Sequence, residues 1–143
     1  MFTNSEVISL INRLKNALYE DLIGTSYDVT EELQMREDGF DAIEPLLKLL
    51  EDNPDVDFGS PGPIVHFVEK YYKKGYEEKL IVSLYRNPTN HTLWMLNRII
   101  NVSENEQKQQ YLNVLSDIIE RSIEDKKIDE QAKYFRSLHD LHD

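Results

Sequence analysis

Apolar stripes at helical spacing, separated by short polar breaks, run along most of the chain, and strand-like alternation is scarce. Val7, Ile8, Leu10, Ile11, Leu14, Leu18 and Leu22 follow one helix face from residue 4 onward, and Gly24 is the natural stop. Thr3 with Glu6 forms a capping-box pattern at its start, and Phe2 with Val7 a hydrophobic staple. Residues 25–39 are mixed, with a short helix expected over 29–36. Ile43, Leu46, Leu47 and Leu50 predict a helix over 41–51, beginning near Phe40 because Pro45 is tolerated only in a first turn. Asn53 and Pro54 end it.

Ser60 and Pro61 read as a cap followed by a first helical proline. The helix they open carries Ile64, Val65, Phe67, Val68 and Tyr71 as far as Lys74, before Gly75. A further helix is expected over 76–86, with Leu80, Ile81 and Leu84 inward, and Asn87-Pro88 marks the next cap. Leu93, Trp94, Met95, Leu96, Ile99 and Ile100 are apolar nearly all round, which predicts a central, buried helix with Trp94 in the core. Ser103 and Glu106 form another capping-box pattern before a helix through Tyr111, Leu112, Leu115, Ile118 and Ile119. The last helix is expected over 129–141, with Ala132, Phe135 and Leu138 as its stripe. The sum is an all-α fold of about seven or eight short helices in antiparallel pairs. Either a HEAT-like α-α superhelix or a compact helical bundle satisfies it, as a single domain over 1–143.

Composition narrows the chemistry. A chain of 143 residues with 40% hydrophobic content can bury a core of its own. It has no cysteine, hence no thiolate nucleophile, no disulfide and no cysteine-ligated metal. The first fifteen residues lack the basic start and unbroken apolar stretch of an export signal, and no apolar run approaches a membrane span, so a cytoplasmic protein is expected.

The net charge of −11 argues against direct binding of nucleic acid, and its distribution says more. Residues 1–57 hold 4 basic and 14 acidic side chains, a net charge of −10. Residues 58–103 hold 6 and 3, a net charge of +3, and residues 104–143 hold 6 and 10, a net charge of −4. The excess lies mostly between Glu20 and Asp57.

Candidates for catalysis are few. His66 and Glu69 share a helix face, as metal ligands in a bundle do, yet no second such pair exists to complete a site. The plainer account of His66 is a hydrogen-bonded histidine of the core. His91 stands near a helix start, and His139 and His142 belong to a terminal turn expected to fray. FGSPGP lacks the Lys-Ser/Thr ending and the preceding strand of a phosphate-binding loop, and reads as a tight corner. Trp94 with Tyr71, Tyr72, Tyr76 and Tyr85 could form a binding cage, but Trp94 lies within the most hydrophobic helix and packed core is the favoured reading. No cofactor and no metal are expected, and the chain does not read as an enzyme.

The stretch FGSPGPIVHFVEKYYKKGYEEKL, followed by NPTNHTLWMLNRIIN, resembles a bacterial immunity-protein family. Its members are small, cytoplasmic, all-helical proteins that neutralise the toxins of contact-dependent or other polymorphic toxin systems. The resemblance covers roughly residues 38–120 and rests on Ser-Pro-Gly-Pro, Val-His-Phe-Val-Glu and Trp-Met-Leu-Asn-Arg. These segments are caps, corners and core of a helical stack, and no inhibitory residue is transferred from them. The implied partner is the C-terminal domain of a cognate toxin, often a nuclease, whose basic surface an acidic inhibitor can occupy. From charge alone, the toxin-binding candidates are Glu31, Glu32, Glu37, Asp38, Asp41 and Glu44, then Asp52, Asp55 and Asp57. Tyr27 and Phe58 are candidate aromatic anchors at the edges of that region. The bland account of the same carboxylates is a solvated face that keeps the protein soluble. Two rival functions are a helical scaffold or adaptor for host proteins, and a metalloenzyme built on His66 and Glu69.

Overall fold

The structure, a computed structural model, describes residues 5–121 and 123–140, the last by its backbone alone. The regular elements are helices throughout: α1 (Ser5–Asn16), α2 (Leu22–Gln34), a 3-10 turn (Gly39–Ala42), α3 (Ile43–Asp52), α4 (Gly62–Glu69), α5 (Tyr76–Arg86), α6 (Asn90–Val102), α7 (Asn105–Glu120) and α8 (Lys126–Asp140). The all-α expectation holds. Among the described residues, no helix is long and apolar enough to cross a membrane. Contacts gather into two compact units, Met1–Lys79 and Leu80–Asp143. In the first, α2 packs on α1 and α4, and α1 also on α3 and the 3-10 turn. In the second, α6, α7 and α8 each pack on the other two.

The largest departure from the periodicity is at the start. Where one helix was expected up to Gly24, α1 ends at Asn16 and a turn through Asp21 (φ +55) starts α2. Gly24 belongs to the first turn of α2, not to a stop. A Cβ there would lie 2.6 Å from Asp21 Oδ1, so the missing side chain makes room for that carboxylate. The helix expected over 29–36 is the second half of α2. Its inward stripe is Leu22, Ser26, Val29, Thr30 and Leu33, and two of those five are polar. Their hydroxyls donate within the helix, Ser26 Oγ to the Leu22 carbonyl (2.7 Å) and Thr30 Oγ1 to the Ser26 carbonyl (2.8 Å). Satisfied in this way, Ser and Thr can be buried, and an apolar periodicity overlooks them.

Other boundaries move for comparable reasons. The first expected turn of the 41–51 helix is the 3-10 segment, with α3 beginning at Ile43. Pro61 is the N-cap of α4 rather than its first residue, Ser60 makes no cap bond, and Pro63 occupies the first turn. The helix ends at Glu69, not Lys74, and turns at Lys73 (φ +64) and Gly75 (φ +105) lead into α5, which spans the expected 76–86. Thr89, two residues past Asn87, caps α6. Its Oγ1 accepts from Thr92 N (3.2 Å) while Thr92 Oγ1 accepts from Thr89 N (3.0 Å), a reciprocal box with threonine in the usual Glu/Gln place.

The expected Ser103–Glu106 box does not form. Ser103 Oγ donates to the Ile99 carbonyl (2.7 Å) at the end of α6, and Glu104 takes the N-cap position of α7. α8 begins three residues before the expected 129, because Asp125 Oδ1 accepts from Lys127 N (2.9 Å) and Ile128 N (3.3 Å). Thr3, Phe2, Leu141 and His142, which entered the sequence expectations, lie outside the described residues.

Candidate functional site

The nine acidic candidates and the two aromatic ones all belong to the first unit, but they are not equivalent. Phe58 is fully buried, so it is core and not an anchor. The corner that follows it is tight: Gly59 (φ +105) donates its N–H to Asp57 Oδ1 (2.8 Å), and a Cβ on Gly59 would lie 2.5 Å from Gly62 Cα. Asp57 therefore holds a turn. Tyr27 is 54% exposed on α2 and remains available as an anchor.

Three of the carboxylates already have a basic partner within the unit. Glu32 on α2 meets Arg13 on α1 at 3.3 Å, and Asp52 meets Lys48 one turn back at 3.2 Å. Asp38 accepts two parallel hydrogen bonds from Arg36, from Nε at 2.8 Å and from Nη2 at 3.0 Å. Glu6 of α1 pairs with the Nη1 of the same guanidinium. Hydrogen bonds to Asp38 first and Glu6 second hold the Arg36 pKa above its ordinary value, and the Arg36 bonds hold the Asp38 carboxyl below the usual aspartate range. These pairs tie α1 to α2 and to the segment that follows α2. Glu44 is half-buried and engaged. Glu31, Glu37, Asp41 and Asp55 are exposed and, among the described residues, carry no ion pair.

The charge pattern missed an apolar component on α2, in line with Glu31. Ile23 (41% exposed) precedes Tyr27 by one turn of α2, and Met35, at the C-cap of the helix, is 88% exposed. Glu31 follows Tyr27 by one turn, and Asp28 adjoins it, both exposed. Reading Asp21 and Gly24 as the start of a helix would have placed Ile23, Tyr27 and Glu31 in one row.

The other candidates separate in the same way. His66 is exposed rather than hydrogen-bonded in the core, because the inward positions of α4 are Ile64, Val65, Phe67 and Val68. Among the described residues no three His, Asp or Glu side chains converge on a point that could hold a metal ion. His139 is not a frayed residue: it is buried, and its Nε2 lies 2.9 Å from Asn97 Oδ1 across α8 and α6.

The aromatic candidates are divided between the two units and are engaged in separate contacts. Tyr71 packs edge-on against Phe40 and Phe67, with centroids 5.4 and 5.6 Å away, and burial pushes its phenol pKa up. Tyr76 is buried. In the second unit the Tyr85 hydroxyl donates to Asp117 Oδ2 (2.7 Å), and the Arg121 guanidinium lies 4.6 Å from its ring centre. Trp94 is 47% exposed, against the expectation of a core residue. It stands with exposed Asn90 and Asn101 on the outer face of α6, its ring edge-on to Phe135 at 4.7 Å. Burial of its neighbours Leu93, Met95 and Leu96 already completes the inner face. No known family, no curated protein and no solved structure matches the chain.

Proposed function

We propose that this chain is a non-catalytic, cytoplasmic immunity protein that binds a cognate toxin domain with a basic working surface and occludes it. A nuclease is the preferred toxin, because a surface that holds nucleic acid is basic. One observation carries the reading: the first unit bears 17 acidic and 8 basic side chains, and Glu31, Glu37, Asp41 and Asp55 remain exposed after the internal ion pairs are made, Glu31 one helical turn from the exposed Tyr27. Such a surface speeds encounter with a basic partner, and exposed aromatic side chains supply the short-range contacts that keep it bound.

The scaffold reading draws on a different place. Trp94 and Tyr134, on α6 and α8 of the less charged second unit, are both about half-exposed around buried Phe135, an aromatic surface suited to a second protein.

Co-expression with the C-terminal domain encoded immediately upstream separates the two. A domain that kills alone, is tolerated with this chain and elutes with it supports immunity. A harmless neighbour that does not co-elute overturns it. In such a complex, Glu31→Lys, Glu37→Lys and Asp41→Lys together should slow association by at least about tenfold at low salt and flatten its salt dependence. An unchanged association rate would remove the acidic face from the docking surface.

A further inference from the structure

We infer that the outer face of α2 is the centre of the docking surface, and that it fits a basic protein surface with an apolar recess; the inference rests on the immunity reading and adds where the toxin domain sits. Acidic side chains occur all over the first unit, but exposed apolar side chains next to acids that lack an internal partner concentrate on α2. Ile23 and Tyr27 lie one turn apart, and Glu31 one turn further on. Asp28 flanks Tyr27, Glu20 precedes the helix, and Met35 caps its end, all of them exposed. No lysine or arginine lies between Lys15 and Arg36, so α2 itself contributes no basic side chain, and Arg13 of α1 is paired with Glu32.

An apolar row bordered by carboxylates selects its partner by charge complementarity. The recess accepts Ile23 and the Tyr27 ring, while lysines or arginines around it meet Glu20, Asp28 and Glu31. A guanidinium stacked on Tyr27 would satisfy both requirements at once. The other acidic segments are less suited. Asp38 and Asp52 are already paired, Asp57 holds a turn, and Phe58 is buried, so residues 52–58 offer charge without an anchor.

The two kinds of side chain should act on different rate constants, which distinguishes this surface from a general negative charge. Charges that steer the encounter change the association rate, and a buried anchor changes the dissociation rate. The test measures binding of the upstream toxin domain to the full chain by surface plasmon resonance at several salt concentrations. Tyr27→Ala should speed dissociation at least about tenfold with little change in association, and Tyr27→Phe should keep most of the affinity. Asp28→Lys with Glu31→Lys should slow association and lower its salt dependence. Glu120→Lys, the same charge change for one site on the exposed end of α7, should leave both rates near wild type. Circular dichroism confirms that each variant is folded. A complex that forms equally well with all the α2 variants overturns this inference and leaves the immunity reading standing. Equal per-charge effects from the α2 pair and from Glu120→Lys also overturn it, because bulk charge then suffices. If the wild-type chain forms no complex, the inference and the reading fall together.

Discussion

The two units solve the same packing problem with different electrostatics. Residues 1–79 carry 8 basic and 17 acidic side chains, a net charge of −9; residues 80–143 carry 8 and 10, a net charge of −2. In the first, two surface ion pairs join separate segments, Arg13 to Glu32 and Arg36 to Glu6, beside the local pairs Arg36–Asp38 and Lys48–Asp52. In the second, the ion pairs among the described residues include the one-turn pairs Arg121–Asp117, Lys126–Glu130 and Lys133–Asp129. Its polar links between helices are hydrogen bonds, His139 to Asn97, Arg136 Nε to Ser116 Oγ (2.9 Å) and Tyr85 to Asp117. In a unit with 17 acids and 8 bases, carboxylates would be left over even if every cation were paired, and those left over are where a basic partner would be welcome. Under the proposed reading, net charge points to the unit and pairing to the residues.

The sharpest way to break this contrast is to remove packing from either unit. Phe58→Ala and Phe135→Ala should each destabilise the chain by about 3–5 kcal/mol in denaturant titrations, because both rings are buried and the cavities are similar. Glu37→Ala, from the candidate surface, should shift stability by less than about 0.5 kcal/mol. A large loss from Glu37→Ala, or none from Phe58→Ala, would reverse the assignment of core and surface in the first unit. Asn97→Ala takes away the partner of a buried histidine and should cost about 1–3 kcal/mol, read by the fluorescence of Trp94, the single tryptophan and a reporter of the second unit. Thr89→Ala removes the cap of α6 and should cost about 1 kcal/mol.

The smallest effects are in pH, and they have opposite signs. Asp38 has a lowered carboxyl pKa through its bonds to Arg36. Its contribution is therefore complete above the ordinary aspartate range and disappears as pH falls through the lowered value. The Tyr85 phenol is raised, first by its hydrogen bond to Asp117 and then by burial. Its contribution is present below the ordinary tyrosine pKa and disappears as pH rises through the raised value. Arg36→Gln should abolish the acid-side dependence and leave the alkaline one intact; Tyr85→Phe should do the reverse. Chemical-shift titration of residues in each unit measures both.

Much of this molecule was legible in the sequence. The α5 boundaries match the expectation, and the existence of α3, α4, α6, α7 and α8 followed from stripes such as Ile43–Leu46–Leu50 and Tyr111–Leu115–Ile118. The helix that escaped detection as a unit, α2, hides its inner face behind Ser26 and Thr30, whose hydroxyls are satisfied by carbonyls one turn back. It is also the helix that carries the candidate surface, and a stop at Gly24 separates Ile23 from Tyr27 and Glu31. Asp125 and Thr89 accept from the backbone N–H groups that N-caps ordinarily engage, but the third helical position after each holds Ile128 and Thr92 in place of the Glu or Gln that marks a capping box in sequence.

By itself the sequence determined the helical class and the segregation of negative charge, because spacing and net charge are additive along a chain and need no knowledge of neighbours. The tertiary structure decided which residues are inside. Trp94 and His66 are on the outside and Phe58 and His139 on the inside, each contrary to its local pattern. It also decided that Glu32, Asp38 and Asp52 are already paired while Glu31, Glu37, Asp41 and Asp55 stay exposed without an ion pair among the described residues. Burial and ion pairing are properties of two surfaces brought together, and Arg36 reaches Glu6 across thirty positions of sequence only because folding places α1 beside it.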